Sequence, residues 1–267
     1  MNIKYYFGII PLFVASTVFA KEQIFTTPTR QGVTQTFLLV ETIGTPQAAV
    51  VMIAGGPGRT GIKQVGEVII INENGFLQRT RKQFAENGIA VALVDVPSDQ
   101  KELWRDFRMT ERHAKDIEGV IEKLHEIYKG IPVYLVGISR GGLSVAYVAK
   151  FLKEKVTGIV PMSALYRDRR GHSLEFFDWG QLKQKILIVG HKDDGCANTL
   201  YSDAAYVAKK YKLPLITVTG GHQQLEKSPR AECGPYAHHH FLGMERQVAN
   251  EIVNWILQKP YKAEVSE

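Results

Sequence analysis

Six short runs of apolar residues, at 48–54, 89–96, 133–138, 156–162, 186–189 and 213–218, alternate with stretches in which apolar positions recur at helical spacing. A continuous apolar run of this length is how a strand reads when both of its faces are covered. The intervals predict helices over 77–86, 110–128, 143–153, 201–210 and 244–257. In the second of these, Ile117, Val120, Ile121, Leu124 and Ile127 fall on one helical face. The segment 35–41 alternates residue by residue and predicts a half-exposed antiparallel strand at the start of the sheet. Strand and helix in strict succession predict an α/β architecture, a mostly parallel central sheet with helices on both faces. Between the runs ending at 162 and beginning at 186 lie about 20 residues rich in arginine and aromatics, 164–183, expected to form a short cap insertion.

The first 20 residues break this pattern. Lys4 precedes an apolar stretch from Tyr5 to Phe19 that closes on Val18-Phe19-Ala20, with small residues where a signal peptidase requires them. The stretch is interrupted by Gly8 and Pro11 and is short for a membrane span. It reads as a secretory signal peptide cleaved after Ala20, with no stable membrane anchor afterwards and a periplasmic or secreted destination. Cleavage removes one lysine and no acid from 33 basic and 27 acidic residues, leaving 32 against 27. Residues 21–267 suit a single domain with one core. The modest charge is scattered and forms no basic stripe, which argues against nucleic acid. Two cysteines, Cys196 and Cys233, in a chain sent to an oxidising compartment are most economically read as one disulfide.

The chemistry starts at residues 133–142, Val-Tyr-Leu-Val-Gly-Ile-Ser-Arg-Gly-Gly. A β-branched apolar run breaks at Gly137 and Gly141, which flank Ser139, and then turns helical. This is the G-x-S-x-G nucleophile elbow in its strand-to-helix setting. The turn strains the serine backbone and brings neighbouring chain so close that a side chain at either flank would clash. A serine hydroxyl is a weak nucleophile at neutral pH, so it needs a base within hydrogen-bond reach and an acid to orient that base. In such a fold they follow in the order Ser, Asp or Glu, His. The segment after the fifth run, Gly190-His191-Lys192-Asp193-Asp194-Gly195-Cys196, offers Asp193 and Asp194. Between the last run and the last helix lie His222 and the triplet His238-His239-His240. The oxyanion of an attacked carbonyl needs two fixed N–H donors. The amide of Arg140 would supply one; the loop Gly55-Gly56-Pro57-Gly58 would supply the other, from Gly56 first and Gly58 second, since Pro57 has no N–H.

Taken together, Gly-Gly-Pro-Gly at 55–58, Val-Asp-Val-Pro-Ser-Asp at 94–99, Gly-Ile-Ser-Arg-Gly-Gly at 137–142, Asp-Asp-Gly-Cys at 193–196, and Cys233 followed by the residues 239–245 make the chain resemble an α/β-hydrolase. The likeness is to small exported bacterial members of the dienelactone-hydrolase and esterase neighbourhood, and it covers nearly the whole mature chain. It implies Asp194 as the acid on the apolar-run, His-Gly, acid frame. It implies His239 as the base, because relatives read His-Gly-Phe where this chain reads His239-His240-Phe241; the departure at His240 is left without an explanation. It also implies a cysteine just after the acid paired with one just before the base, matching Cys196 and Cys233. The expected activity is a serine carboxylesterase acting on small-molecule esters through Ser139, Asp194 and His239, with no cofactor and no metal.

Two other readings compete. The Gly-Gly-Pro-Gly loop also resembles that of proline iminopeptidases, but these carry a large helical cap with acidic residues, whereas the insertion here is short and carries Arg167, Arg169 and Arg170. Those arginines and Lys183 are expected to be exposed loop charges more than a binding site for an acidic substrate. A metal-binding protein using His191, His222 and the triplet is disfavoured, because consecutive side chains point apart and no His-x-x-x-His or Cys-x-x-Cys spacing occurs.

Overall fold

The computed structural model describes residues 20–224, 228 and 231–267. The expected signal peptide lies outside the described residues except for Ala20. The chain runs β1 (Glu22–Arg30), β2 (Val33–Val40), β3 (Ala48–Ile53), β4 (Lys63–Val65), β5 (Val68–Ile70), α1 (Phe76–Glu86), β6 (Ile89–Val94), α2 (Arg105–Arg108), α3 (Glu111–Ile127), β7 (Val133–Ile138), α4 (Arg140–Leu152), β8 (Gly158–Met162), β9 (Lys185–Ile186), β10 (Ile188–His191), α5 (Tyr201–Tyr211), β11 (Leu215–Val218), α6 (Glu245–Ile256) and β12 (Glu264–Val265).

Ten of these strands form one sheet, nine in the order β1-β2-β6-β3-β7-β8-β10-β11-β12 and β9 paired to β8. From β6 to β12 neighbours run parallel; β2 joins β6, and β1 joins β2, antiparallel. Alternate residues of each central strand serve opposite faces. Ala49, Val51 and Ile53 pack with α3, α4 and α5, while Val50 and Met52 pack with α1 and α6. Covering both faces is why the strands read as unbroken apolar runs.

Several expectations are refined. The polar hairpin partner β1 and the two-residue β12 carry too weak an apolar signal to be read from the sequence. The run 89–96 ends as a strand at Val94, because the Asp95 carboxylate turns back to accept the amides of Thr60 and Ile62, each at 3.1 Å. Helix α3 begins on Thr110, whose hydroxyl accepts the His113 amide, and it buries Ile117, Val120, Ile121 and Leu124 while Ile127 stays exposed near its end. Within 164–183 the regular structure is a single 3₁₀ turn at Trp179–Gln181, and Leu174, Phe177 and Trp179 are buried in the core. The stretch is therefore anchored to the body beside the site.

The order of strands fixes where the site forms. From β3 the chain moves to β6 on one side and then to β7 on the other, so a crevice opens at the C-terminal ends of β3 and β7. Ligand sites in open α/β sheets lie at such a reversal. Gly55-Gly56 and Ser139 stand there, and the loop after β10 enters from one side.

Candidate active site

Ser139 links β7 to α4 with φ 57° and ψ −120°, a backbone region that a residue with a side chain rarely occupies. The surroundings enforce it: its N–H donates to the Met162 carbonyl at 2.9 Å and its carbonyl accepts from Gly142 at 3.0 Å and Leu165 at 3.2 Å. A Cβ on Gly137 would run into the Gly141 carbonyl, and one on Gly141 into the Ile53 carbonyl. Both flanking glycines are thus demanded by close approach of the backbone.

Past β10, Asp194 is buried and Asp193 is exposed. The Asp194 Oδ2 accepts the Nδ1–H of His239 at 2.9 Å, and both side chains are essentially inaccessible to water. Its Oδ1 accepts the Cys196 amide at 3.0 Å. Thr199 donates its hydroxyl to Oδ2 at 3.0 Å and lies 3.1 Å from His239 Nδ1. The Asp194 carboxylate is thereby held by three groups. With Nδ1 committed, His239 has only Nε2 left, and that buried nitrogen has no hydrogen-bond partner among the described residues. Cys196 and Cys233 form the expected disulfide.

The other histidines stand elsewhere. His222 is exposed and its amide donates to the Leu242 carbonyl. His240 lines the Ser139 cavity, with its Nδ1 accepting the Phe76 amide at 3.2 Å. Burial, then the neighbouring His239 and Arg79, hold its imidazole well below the usual histidine range. His191 and His238 lie with Asp193 in the one group of potential metal donors among the described residues. Their rings, however, are stacked 4.4 Å apart and 3° from parallel. Imidazole lone pairs lie in the ring plane, so two stacked rings cannot aim at one ion. His191 is further engaged at both nitrogens, with the Gly220 carbonyl and the Asp193 amide.

Ser139, Gly56, Arg140, Cys196, Thr199 and His240 line one cavity of about 520 Å³. Of the two loop amides expected as oxyanion donors, that of Gly58 donates to the Gly55 carbonyl at 2.9 Å. The loop is braced from behind by a residue the sequence does not mark. Arg108, fully buried, donates Nη2 to the Ala54 and Gly56 carbonyls at 3.1 and 3.3 Å, Nε to the Leu103 carbonyl at 3.1 Å and Nη1 to Ser144 Oγ at 2.8 Å. Desolvation, aided by Arg140, lowers its pKa to about 9, so it stays cationic at neutral pH. The Ser144 hydroxyl, its oxygen accepting from Arg108, is within 3.0 Å of His113 Nε2. Thr199 is likewise invisible in the sequence, since nothing distinguishes it from any loop threonine.

The fold, the elbow and the aspartate–histidine pair define an α/β-hydrolase. More narrowly, the chain belongs to the serine aminopeptidase S33 family of hydrolases, whose sequence signature matches residues 70–225. No curated protein sequence matches the chain. Among solved structures it is similar to a dienelactone hydrolase from Anabaena variabilis, with 14% identity over 91% of this chain and 99% of that one and a TM-score of 0.61. It is similar as well to the esterase domain of a Rhodothermus marinus protein, at 13% identity, 89% and 98% coverage and a TM-score of 0.59. Dipeptidyl peptidase 4 of Porphyromonas gingivalis shares 12% identity over 91% of this chain but 36% of its own length, with a TM-score of 0.58.

Proposed function

We propose that the protein is an exported serine hydrolase that cleaves carboxylic esters of small molecules, with Ser139 as nucleophile, His239 as base and Asp194 as the acid that orients it. The observation that carries this reading is the buried Asp194–His239 hydrogen bond, which leaves a single unpartnered imidazole nitrogen at the end of the sheet where the strained Ser139 stands. In the first half-reaction His239 Nε2 takes the Ser139 proton as the hydroxyl attacks the ester carbonyl. The amides of Gly56 and Arg140 receive the oxyanion, with Arg108 keeping the Gly56 loop in place. His239 then returns the proton to the departing alcohol, and water repeats the sequence to release the acid. No cofactor enters these steps. The disulfide supports an oxidising destination, and residues 1–20 are read as its signal peptide.

The test is labelling of the mature chain by a fluorophosphonate probe together with turnover of p-nitrophenyl acetate. Both are expected in the wild type, and neither in Ser139→Ala at unchanged melting temperature; labelling that persists without Ser139 would sink the assignment. A peptidase is the second reading, favoured by the family to which the chain belongs. Aminoacyl p-nitroanilides turned over faster than matched esters would select it.

A further inference from the structure

One wall of the Ser139 cavity is made by Asn72, Asn74 and His240, and each of them has its acceptor atom tied back into the protein. The Asn72 side-chain oxygen accepts the Asn74 amide at 3.1 Å. The Asn74 side-chain oxygen accepts the Tyr236 hydroxyl at 2.8 Å. His240 Nδ1 accepts the Phe76 amide, which fixes the tautomer with its proton on Nε2. What these residues have left to offer is donors: two amide NH₂ groups and one imidazole N–H, with no partner for any of them among the described residues.

The wall is also held as a unit. The Arg79 guanidinium donates to the backbone carbonyls of both Asn74 and His240, and to that of Pro235 at 3.2 Å, and is itself held by Glu245 at 2.9 Å. His240 is neutral across the physiological range, because burial, His239 and Arg79 all oppose its protonation. The donors are therefore uncharged as well as fixed.

We propose that this wall is a substrate subsite for an uncharged oxygen acceptor, a ketone, ether or hydroxyl oxygen carried on the acyl or alcohol part of the ester beyond the scissile bond. Hydrocarbon at this wall would leave the donors unpaired once water is displaced, whereas an oxygen there accepts from one or two of them. The inference rests on the ester-hydrolase reading above and narrows it to oxygenated esters.

The experiment compares kcat/KM within two isosteric pairs, p-nitrophenyl pentanoate against 4-oxopentanoate and butyl acetate against 2-methoxyethyl acetate. In the wild type the oxygenated member of at least one pair is expected to win by about tenfold, the size of one or two well-placed hydrogen bonds. Asn74→Asp exchanges the donor NH₂ for an oxygen while keeping the Tyr236 contact, and His240→Phe keeps a ring but removes the N–H. In each the preference is expected to fall to about twofold or less, with melting temperatures reported alongside. Asn72→Asp, at an exposed position, provides a third variant with little bearing on the fold. Ratios near one in both pairs of the wild type, with Ser139-dependent labelling intact, overturn this inference and leave the hydrolase reading standing. A wild-type preference that survives all three substitutions overturns it too, and loss of both labelling and turnover overturns inference and reading together.

Discussion

Cys196 donates its backbone N–H to the carboxylate of Asp194 at 3.0 Å, so the same residue that holds this carboxylate is covalently tied through its sulfur to Cys233, six residues before His239. The disulfide therefore joins the two loops whose meeting makes the Asp194–His239 pair. Its half-cystines are 37 positions apart, for which the chain-entropy model gives about 4 kcal/mol of stabilisation. Cys196→Ser with Cys233→Ser is expected to lower the urea midpoint by a corresponding amount and to reduce kcat more than it raises KM. Unchanged kcat in the folded double variant would separate the bridge from the geometry of the pair.

The adjacent carboxylates are expected to behave very differently. Asp194→Asn removes the acceptor for His239 Nδ1–H and should cost on the order of 10⁴ in kcat, whereas Asp193→Asn, at an exposed position, should cost little. His239→Ala should cripple turnover of p-nitrophenyl acetate, and His222→Ala should leave most of it. The opposite ranking in either comparison transfers the role to the other residue.

Thr199→Val keeps shape and removes the hydroxyl that donates to Asp194 Oδ2. One hydrogen bond to a charged acceptor is worth roughly 1.5–3 kcal/mol, so kcat is expected to fall about ten- to a hundredfold with KM little changed. A loss confined to KM would place Thr199 on the substrate instead.

His113 gives the protein an acid-sensitive stability. Burial first, then Arg108 and Arg30, lower its pKa to about 3 from an ordinary 6.5. Between these values the unfolded chain binds a proton that the folded one refuses. Its contribution is thus fully present above about pH 6.5 and lost as pH falls toward 3. Going from pH 7 to pH 5 this one group should remove about 2 kcal/mol. Urea unfolding of the wild type and His113→Gln at both pH values checks it: the variant should show the smaller loss, and parallel losses would assign the acid sensitivity to other groups.

Much of this molecule was legible in the chain by itself. Apolar runs flanked by amphipathic segments determine a doubly covered parallel sheet, because each residue's face is set by local geometry of period 2 or 3.6. The elbow was legible for the same reason: Gly137, Ser139 and Gly141 are neighbours in sequence, and the steric demand that selects them acts within one turn. The pairing of Asp194 with His239 was not decided there. Residues 193 and 194 are chemically alike, as are the histidines of the triplet, and which of them turn inward depends on how two loops dock at one sheet end, Asp194 and His239 being 45 residues apart. Thr199 and Arg108 carry no local signature at all. Their partners are Asp194 and His239 in one case and the carbonyls of 54, 56 and 103 in the other, and only packing at the β3–β7 crevice brings these together. The same holds for His240, whose donor character follows from the contact between its ring and the start of α1.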